Sequence, residues 1–291
     1  MKTICFFSNG HNGDIVHSKA FVQHISQQLD VKFLYHHKKN FKITQDLNII
    51  NTPICPSSYY EKFIDTKNIF FINTWLYPYL FDTSFETYGV NIKTNYKIYN
   101  HICDTINSTF GTSVKLNHID SYLPFIDFNF IKTSLVDEYV LQDKNIKVLF
   151  CNGPCLSGQS PYNGNMSNIM EKLASLYKNI TFIGTDKFHT KLDNIKFTRD
   201  ILKIDGCDLN EIGYLSTHCN LIVGRNSGPF CFCTIDKNFQ DPNKIFYAFG
   251  HNKTDCFYLG SNIKSKFIFD YSDTEENIYT SINQIVIDNL I

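Results

Sequence analysis

No run of eighteen apolar residues occurs in the 291-residue sequence, so no transmembrane segment is expected. The amino end turns polar at Ser8-Asn9-Gly10, too soon for a secretory leader, and the expectation is a cytosolic protein. Charge of neither sign is in excess: 27 Lys and Arg against 28 Asp and Glu give a net charge of −1, so no global field recruits nucleic acid or an acidic membrane. Three nucleotide and hydrolase signatures are missing. Without Gly-x-x-x-x-Gly-Lys-Ser/Thr, phosphoryl transfer of the P-loop kind is not expected. Gly-x-Gly-x-x-Gly does not follow the first strand, which demotes a nicotinamide dehydrogenase, and the absence of Gly-x-Ser-x-Gly removes the usual α/β-hydrolase reading. Ten cysteines are present, but Cys151/Cys155 and Cys231/Cys233 have no matched second pair, so no metal site is expected; in a cytosolic chain thiols embedded in apolar runs are small core residues. The sequons at Asn107, Asn165, Asn179 and Asn252 then carry no meaning.

What is there is apolar patterning. Hydrophobic residues make up 43% and aromatics 15%, enough for one large core or two ordinary ones. Residues 3–8 read as a strand that runs into Ser8-Asn9-Gly10-His11-Asn12-Gly13-Asp14. A helix follows, with Ile15, Val22, Ile25 and Leu29 on one face, and Val31 to Tyr35 reads as the next strand. Strands joined by such a crossover are parallel, and ligands bind at their carboxyl ends. His36-His37-Lys38-Lys39 reads as a polar surface loop and Leu47 to Ile50 as a short strand. Asn68 to Asn73 is another strand, ending at Thr74-Trp75-Leu76-Tyr77-Pro78-Tyr79 with the only tryptophan. That strand end is either a stacking platform for a sugar or base or ordinary aromatic packing. Residues 91–110 read as a helix.

The second half repeats this grammar after a linker placed near 135–145. Strand 146–151 leads to the loop Asn152-Gly153-Pro154-Cys155-Leu156-Ser157-Gly158, a helix follows with Met166, Ile169, Met170, Leu173 and Tyr177 inward, and then strand Ile180 to Gly184. Asp208 with Glu211 has the spacing of a helix cap, and helix 208–218 feeds strand 220–223 and the turn Gly224-Arg225-Asn226-Ser227-Gly228-Pro229. Strands at 244–249 and 267–269 and a helix over 275–290, capped by Asp273 or Thr274, complete the chain. The expected fold class is α/β, two Rossmann-like doubly wound domains, 1–142 and 143–291, facing across a cleft, with the last helix able to pack back on the first domain.

Two strand-to-helix loops carry candidate chemistry. The turn 224–229 is either a ligand-free Gly-Pro loop or an anion site in which backbone N–H groups, Arg225, Asn226 and Ser227 meet a diphosphate. In the first loop Asp14, with His11 and His17 on either side, is either a helix-capping aspartate or a general base for an acceptor hydroxyl.

Ser8-Asn9-Gly10-His11-Asn12-Gly13-Asp14-Ile15-Val16 resembles the Gly-Asp-Ile/Val loop of heptosyltransferase-like, family 9-like glycosyltransferases of the GT-B fold. The span from Asp208 to Pro229 is similar to that family's helix, strand and Asp-Ser/Thr-Gly-Pro donor loop, and the two motifs together cover about thirty residues. The resemblance implies an inverting, metal-independent transfer from a nucleotide sugar to a glycan or other hydroxyl acceptor, with no cofactor. It implies Asp14 as base and Ser227 and Gly228 on the donor diphosphate; together with the reading of the loops, the candidate acceptor side is His11, Asn12, Gly13, His17 and Trp75, and the candidate donor side Asn152, Gly153, Arg225, Asn226, Ser227, Gly228 and Pro229. The sequence departs from the pattern at Asn226, where the family carries aspartate, and at Phe230-Cys231, where it often has Met/His. It also has no basic residue in the loop after Phe150 and is short for two full domains. A nucleotide-sugar epimerase and a degenerate binder without turnover are the alternatives.

Overall fold

In a computed structural model, which describes residues 2–80, 82, 91–154, 164–225, 227–249, 262–272 and 274–291, the first strand β1 (Thr3–Ser8) is buried from Ile4 onward. It is buried on both faces, which explains its unbroken apolar run. After it come α1 (Asn12–Gln28), β2 (Phe33–His37), β3 (Ile50–Asn51), β4 (Phe63–Asp65), β5 (Ile69–Asn73), α2 (Tyr77–Leu80) and α3 (Ile92–Phe110). The sheet order is β3-β2-β1-β5-β4, parallel except for β4, which closes one edge antiparallel to β5. α1 buries Ile15, Phe21, Val22 and Ile25. Lys19 of α1 pairs with Asp46 at 2.5 Å, both side chains fully buried, tying the helix to the segment after β2. The Asn91 side chain accepts the Thr94 N–H at 3.0 Å to start α3, which ends at Gly111 with φ +65°.

Pairing of β2 with β1 continues to Ser8 opposite His37, so His36 and His37 are strand residues and not the surface loop expected from their polarity. His36 is buried, with Nε2 at 2.9 Å from the Tyr59 hydroxyl and Nδ1 at 3.0 Å from the Thr52 carbonyl.

The chain divides after Phe125. The second unit contains α4 (Ser134–Gln142), β6 (Ile146–Cys151), α5 (Ser167–Leu176), β7 (Ile180–Gly184), β8 (Ile195–Phe197), α6 (Thr198–Leu202) and α7 (Leu209–Ser216), then β9 (Leu221–Gly224), α8 (Gly228–Cys233), α9 (Asp236–Phe239), β10 (Ile245–Phe249), β11 (Lys266–Asp270) and α10 (Glu275–Asn289). Its sheet is parallel throughout in the order β11-β10-β9-β6-β7-β8. The linker expected near 135–145 is α4, and residues 126–142 belong to this second unit and not to the first. Two contacts hold them there: Ile126 fills the space over Gly213, and the Tyr214 hydroxyl donates to Asp137 at 2.6 Å.

One core cluster joins Val148, Phe150, Met170, Leu173, Phe182, Val223 and Tyr247 with Ile278, Ile282, Ile285 and Val286 of α10. The last helix therefore packs on the second sheet, contrary to the expectation that it could return to the first domain. Thr274 caps it, accepting the Asn277 N–H at 3.3 Å. Asp208 occupies the cap position of α7, but its side chain makes no capping hydrogen bond. At the other end of α7, Lys244 is buried, and its Nζ donates to the carbonyls of Ser216 (2.9 Å), Thr217 (3.0 Å) and Cys219, which takes up acceptors a helix end leaves open. Burial holds its pKa below the usual lysine range. Of the eight described cysteines, all free thiols, Cys5, Cys103, Cys151, Cys219, Cys231 and Cys233 are buried, as expected of small core residues. Among the described residues no helix is long and apolar enough to cross a membrane.

Candidate functional site

The carboxyl ends of the parallel strands of the first unit bring together the turn after β1, the end of β2 and the end of β5. His37 stands opposite Ser8 and Asn73 opposite Phe7, and the Thr74 N–H donates to the Phe7 carbonyl at 2.8 Å. In the turn, His11 is the N-cap residue of α1 and Asp14 its third residue. Asp14 Oδ2 accepts the His11 N–H at 2.7 Å. The carboxylate folds back over Gly10, so a Cβ at Gly10 would lie 2.6 Å from both Asp14 Cβ and Oδ2. Gly10 is needed for room and not for backbone freedom, since the described glycines with positive φ are Gly111 and Gly206.

Burial raises the Asp14 pKa above the ordinary carboxylate value, against lowering by the His11 N–H and by the charges of His11 and Lys39. One turn on, burial pushes His17 down to about 3, so its imidazole is neutral at physiological pH. Asn12 at the first position of α1 has its amide Oδ1 buried with no hydrogen-bond partner. His11 itself is exposed and Gly13 half-buried. Beneath the turn, Tyr35 Oη meets Ser18 Oγ at 3.0 Å and Thr74 Oγ1 at 3.2 Å, a buried chain that fixes the ends of β2 and β5 around α1. At the end of β5 the Trp75 indole stacks on Tyr77, centroids 4.8 Å apart and 12° between planes.

In the second unit the ends of β6, β7 and β9 surround a cavity of about 220 Å³, lined among the described residues by Asn152, Pro154, Asp186, Lys187, Phe188 and Arg225, with Gly164 and Asn165. Asn152 is committed to the scaffold: its Nδ2 donates to the Asp186 carbonyl at 2.8 Å and its Oδ1 accepts the Asp186 N–H at 2.7 Å, bridging β6 to β7. The Arg225 side chain is fully buried and donates to the carbonyls of Gly153 (2.8 and 3.2 Å), Gly164 (3.3 Å) and Asn152 (3.4 Å). Its guanidinium knits the cavity wall while presenting an edge to the space. Ser227 begins α8, and its Oγ is buried with no hydrogen-bond partner. Gly228 and Pro229 follow as the first two residues of the helix, half-buried, while Asn226 lies outside the described residues. Here too the glycine provides space. A Cβ on Gly224 would sit 2.4 Å from the Phe230 ring.

Likeness to solved structures extends over almost all of both chains. A family 9 glycosyl transferase from Veillonella parvula DSM 2008 matches over 99% of this chain and 98% of its own at 13% identity and a TM-score of 0.53. The E. coli heptosyltransferase WaaC matches over 99% of both chains at 8% identity, with a TM-score of 0.54 in its ADP form and 0.56 with ADP-2-deoxy-2-fluoro heptose. The chain has a GT-B fold. No protein-family profile matches the sequence, and no curated protein sequence does.

Within that fold, Asp14, Asn12 and Trp75 fall on the strand-end rim of the first unit, and Asn152, Gly153, Arg225 and Ser227 on that of the second. Sequence reading missed Asp186, Lys187 and Phe188. Strand 180–184 was legible, and the rule that ligands meet the carboxyl ends of parallel strands points to its next residues. It also missed Lys39, whose charge reaches Asp14 because β2 runs beside β1.

Proposed function

We propose that the chain is a glycosyltransferase that moves a sugar from a nucleotide-sugar donor to a hydroxyl of a glycan or similar acceptor. The observation that carries this reading is the Asp14 carboxylate, half-buried at the start of a helix, with the backbone N–H groups of His11 and of Asp14 itself for partners and a pKa raised by desolvation. A carboxylate so placed takes a proton more readily than a solvated one, as a general base must.

Asp14 accepts the acceptor hydroxyl proton as that oxygen attacks the anomeric carbon. The new C–O bond forms while the bond from that carbon to the diphosphate breaks, and the electron pair leaves with the nucleotide. A single displacement of this kind inverts the anomeric centre. His17, neutral, adds no charge that would compete for the proton. The departing diphosphate is taken up by Ser227 Oγ and the N–H of Gly228, with the nucleoside in the cavity by Asp186, Lys187 and Phe188. Pro229 brings no N–H and presets the first helical turn. Gly153 and Asn152 shape the site through backbone and scaffold, Arg225 keeps it electropositive, and the transfer runs without a metal. His11, Asn12 and Gly13 line the acceptor side, and Asn12 Oδ1 is an acceptor for a substrate hydroxyl.

Thermal shift against a panel of nucleoside diphosphates and nucleotide sugars, with and without magnesium, tests this. A ligand at a hundredfold excess over its Kd stabilises the folded state by about 2.7 kcal/mol. One nucleoside diphosphate and its sugars should raise the midpoint without magnesium, in the wild type and in Asp14→Asn alike. No response to any of them would overturn the donor site.

A further inference from the structure

We infer that Tyr60, Trp75 and Tyr77 form a stacking subsite for a neutral pyranose ring of the acceptor. The inference deepens the transferase reading, on which the word acceptor rests. The three rings are brought together from two segments of the first unit. Trp75 and Tyr77 lie nearly parallel, and Tyr60 inclines to them at 48° and 60° with centroids 6.4 Å from each. Tyr60 is 67% exposed and Tyr77 43%, and Trp75 is partly exposed.

Position links the group to the chemistry. The Trp75 N–H donates to Asn73 Oδ1 at 3.0 Å, and Asn73 pairs in register with Phe7, the residue before the Ser8–Asp14 turn. The aromatic group and the Asp14 carboxylate therefore project from the ends of adjacent strands on one rim.

Composition argues for the occupant. The chain has 26 phenylalanines and one tryptophan, yet this exposed group uses no phenylalanine and takes the tryptophan. Each ring thus has an apolar face and a polar tip, an indole N–H or a phenol hydroxyl. A pyranose matches both: its axial C–H bonds face the rings, and its equatorial hydroxyls reach the tips.

Because Trp75 is the sole tryptophan, emission of the full chain reads this site directly. The wild type is titrated with maltotetraose, cellotetraose and chitotetraose, and separately with ADP and UDP. A saturable change in emission with at least one tetrasaccharide is expected, and Tyr60→Ala or Tyr77→Ala should raise the half-saturating concentration about tenfold. Both rings are surface groups, and circular dichroism checks that the variants fold. No emission change with any tetrasaccharide overturns the inference, as does a change produced only by ADP or UDP, which would mark a base-stacking surface. The two readings fail separately: nucleotide-induced thermal stabilisation with silent emission sinks the platform alone. A saccharide response without any nucleotide response keeps the platform and sinks the transferase.

Discussion

The β1–α1 and β9–α8 turns use the same device for different ends. Each places a glycine where a following side chain needs the room of a missing Cβ. At Gly10 the occupant is the Asp14 carboxylate, and at Gly224 it is the Phe230 ring. The first turn leaves a carboxylate desolvated, with backbone N–H groups and no side chain for partners. In the second, a phenylalanine anchors α8, Arg225 is surrounded by carbonyls, and one hydroxyl, Ser227 Oγ, has no partner. The lesson is that a glycine that makes room for a following side chain does not settle what that side chain can do. The burial and partners of the groups packed on each turn decide that.

Asp14→Asn strikes this contrast hardest. Transfer should fall by about 10²–10⁴-fold while nucleotide affinity is kept, read by product formation beside donor titration. The pH dependence follows from the raised pKa. The folded chain keeps the Asp14 proton to a higher pH than the unfolded chain does, so the stability linked to it is present below the unfolded value and is lost as pH rises through the folded one. Transfer needs the ionised form, so rate climbs across the window where stability declines, and Asp14→Asn should remove both trends. An acid limb that survives in the variant assigns the base elsewhere.

Arg225→Met should cost about 3 kcal/mol in denaturant unfolding, because three buried carbonyls lose their donor. A mild loss of stability with a large loss of nucleotide binding would instead make Arg225 a ligand group. The glycine pair separates the turns more finely. Gly10→Ala should lower kcat about 100-fold by displacing the carboxylate, with little change in Tm. Gly224→Ala should cost about 1–3 kcal/mol of stability, because the Phe230 ring must move, with kcat per folded molecule kept. The reverse pattern would exchange the roles of the two turns. Smallest is Ser227→Ala, which should change stability by under about 0.5 kcal/mol since no bond is lost, while nucleotide affinity falls about tenfold.

Sequence patterning located the parallel strands because runs such as Ile146–Cys151 and Ile180–Gly184 are buried almost throughout and are apolar but for one residue each, Lys147 and Thr181. The short edge strands β4 and β8 escaped, with three residues each and too little periodicity to register. Asp14 and Ser227 were legible from motifs at strand ends. The constraint on Gly10 was not, because it arises from a side chain four residues away folding back. Sequence reading makes Arg225 a phosphate-binding guanidinium, and nothing in its neighbours in sequence announces the carbonyls of Gly153 and Gly164 that surround it.

Lys244 gives the second unit a built-in clock. Its amine is sealed against the end of α7 and is out of reach of acylating reagents while those carbonyls hold it. Solvent-facing lysines would be labelled at the rate of the reagent, and Lys244 only at the rate at which α7 parts from β10. The labelling delay at this one position therefore times that local opening in the intact chain.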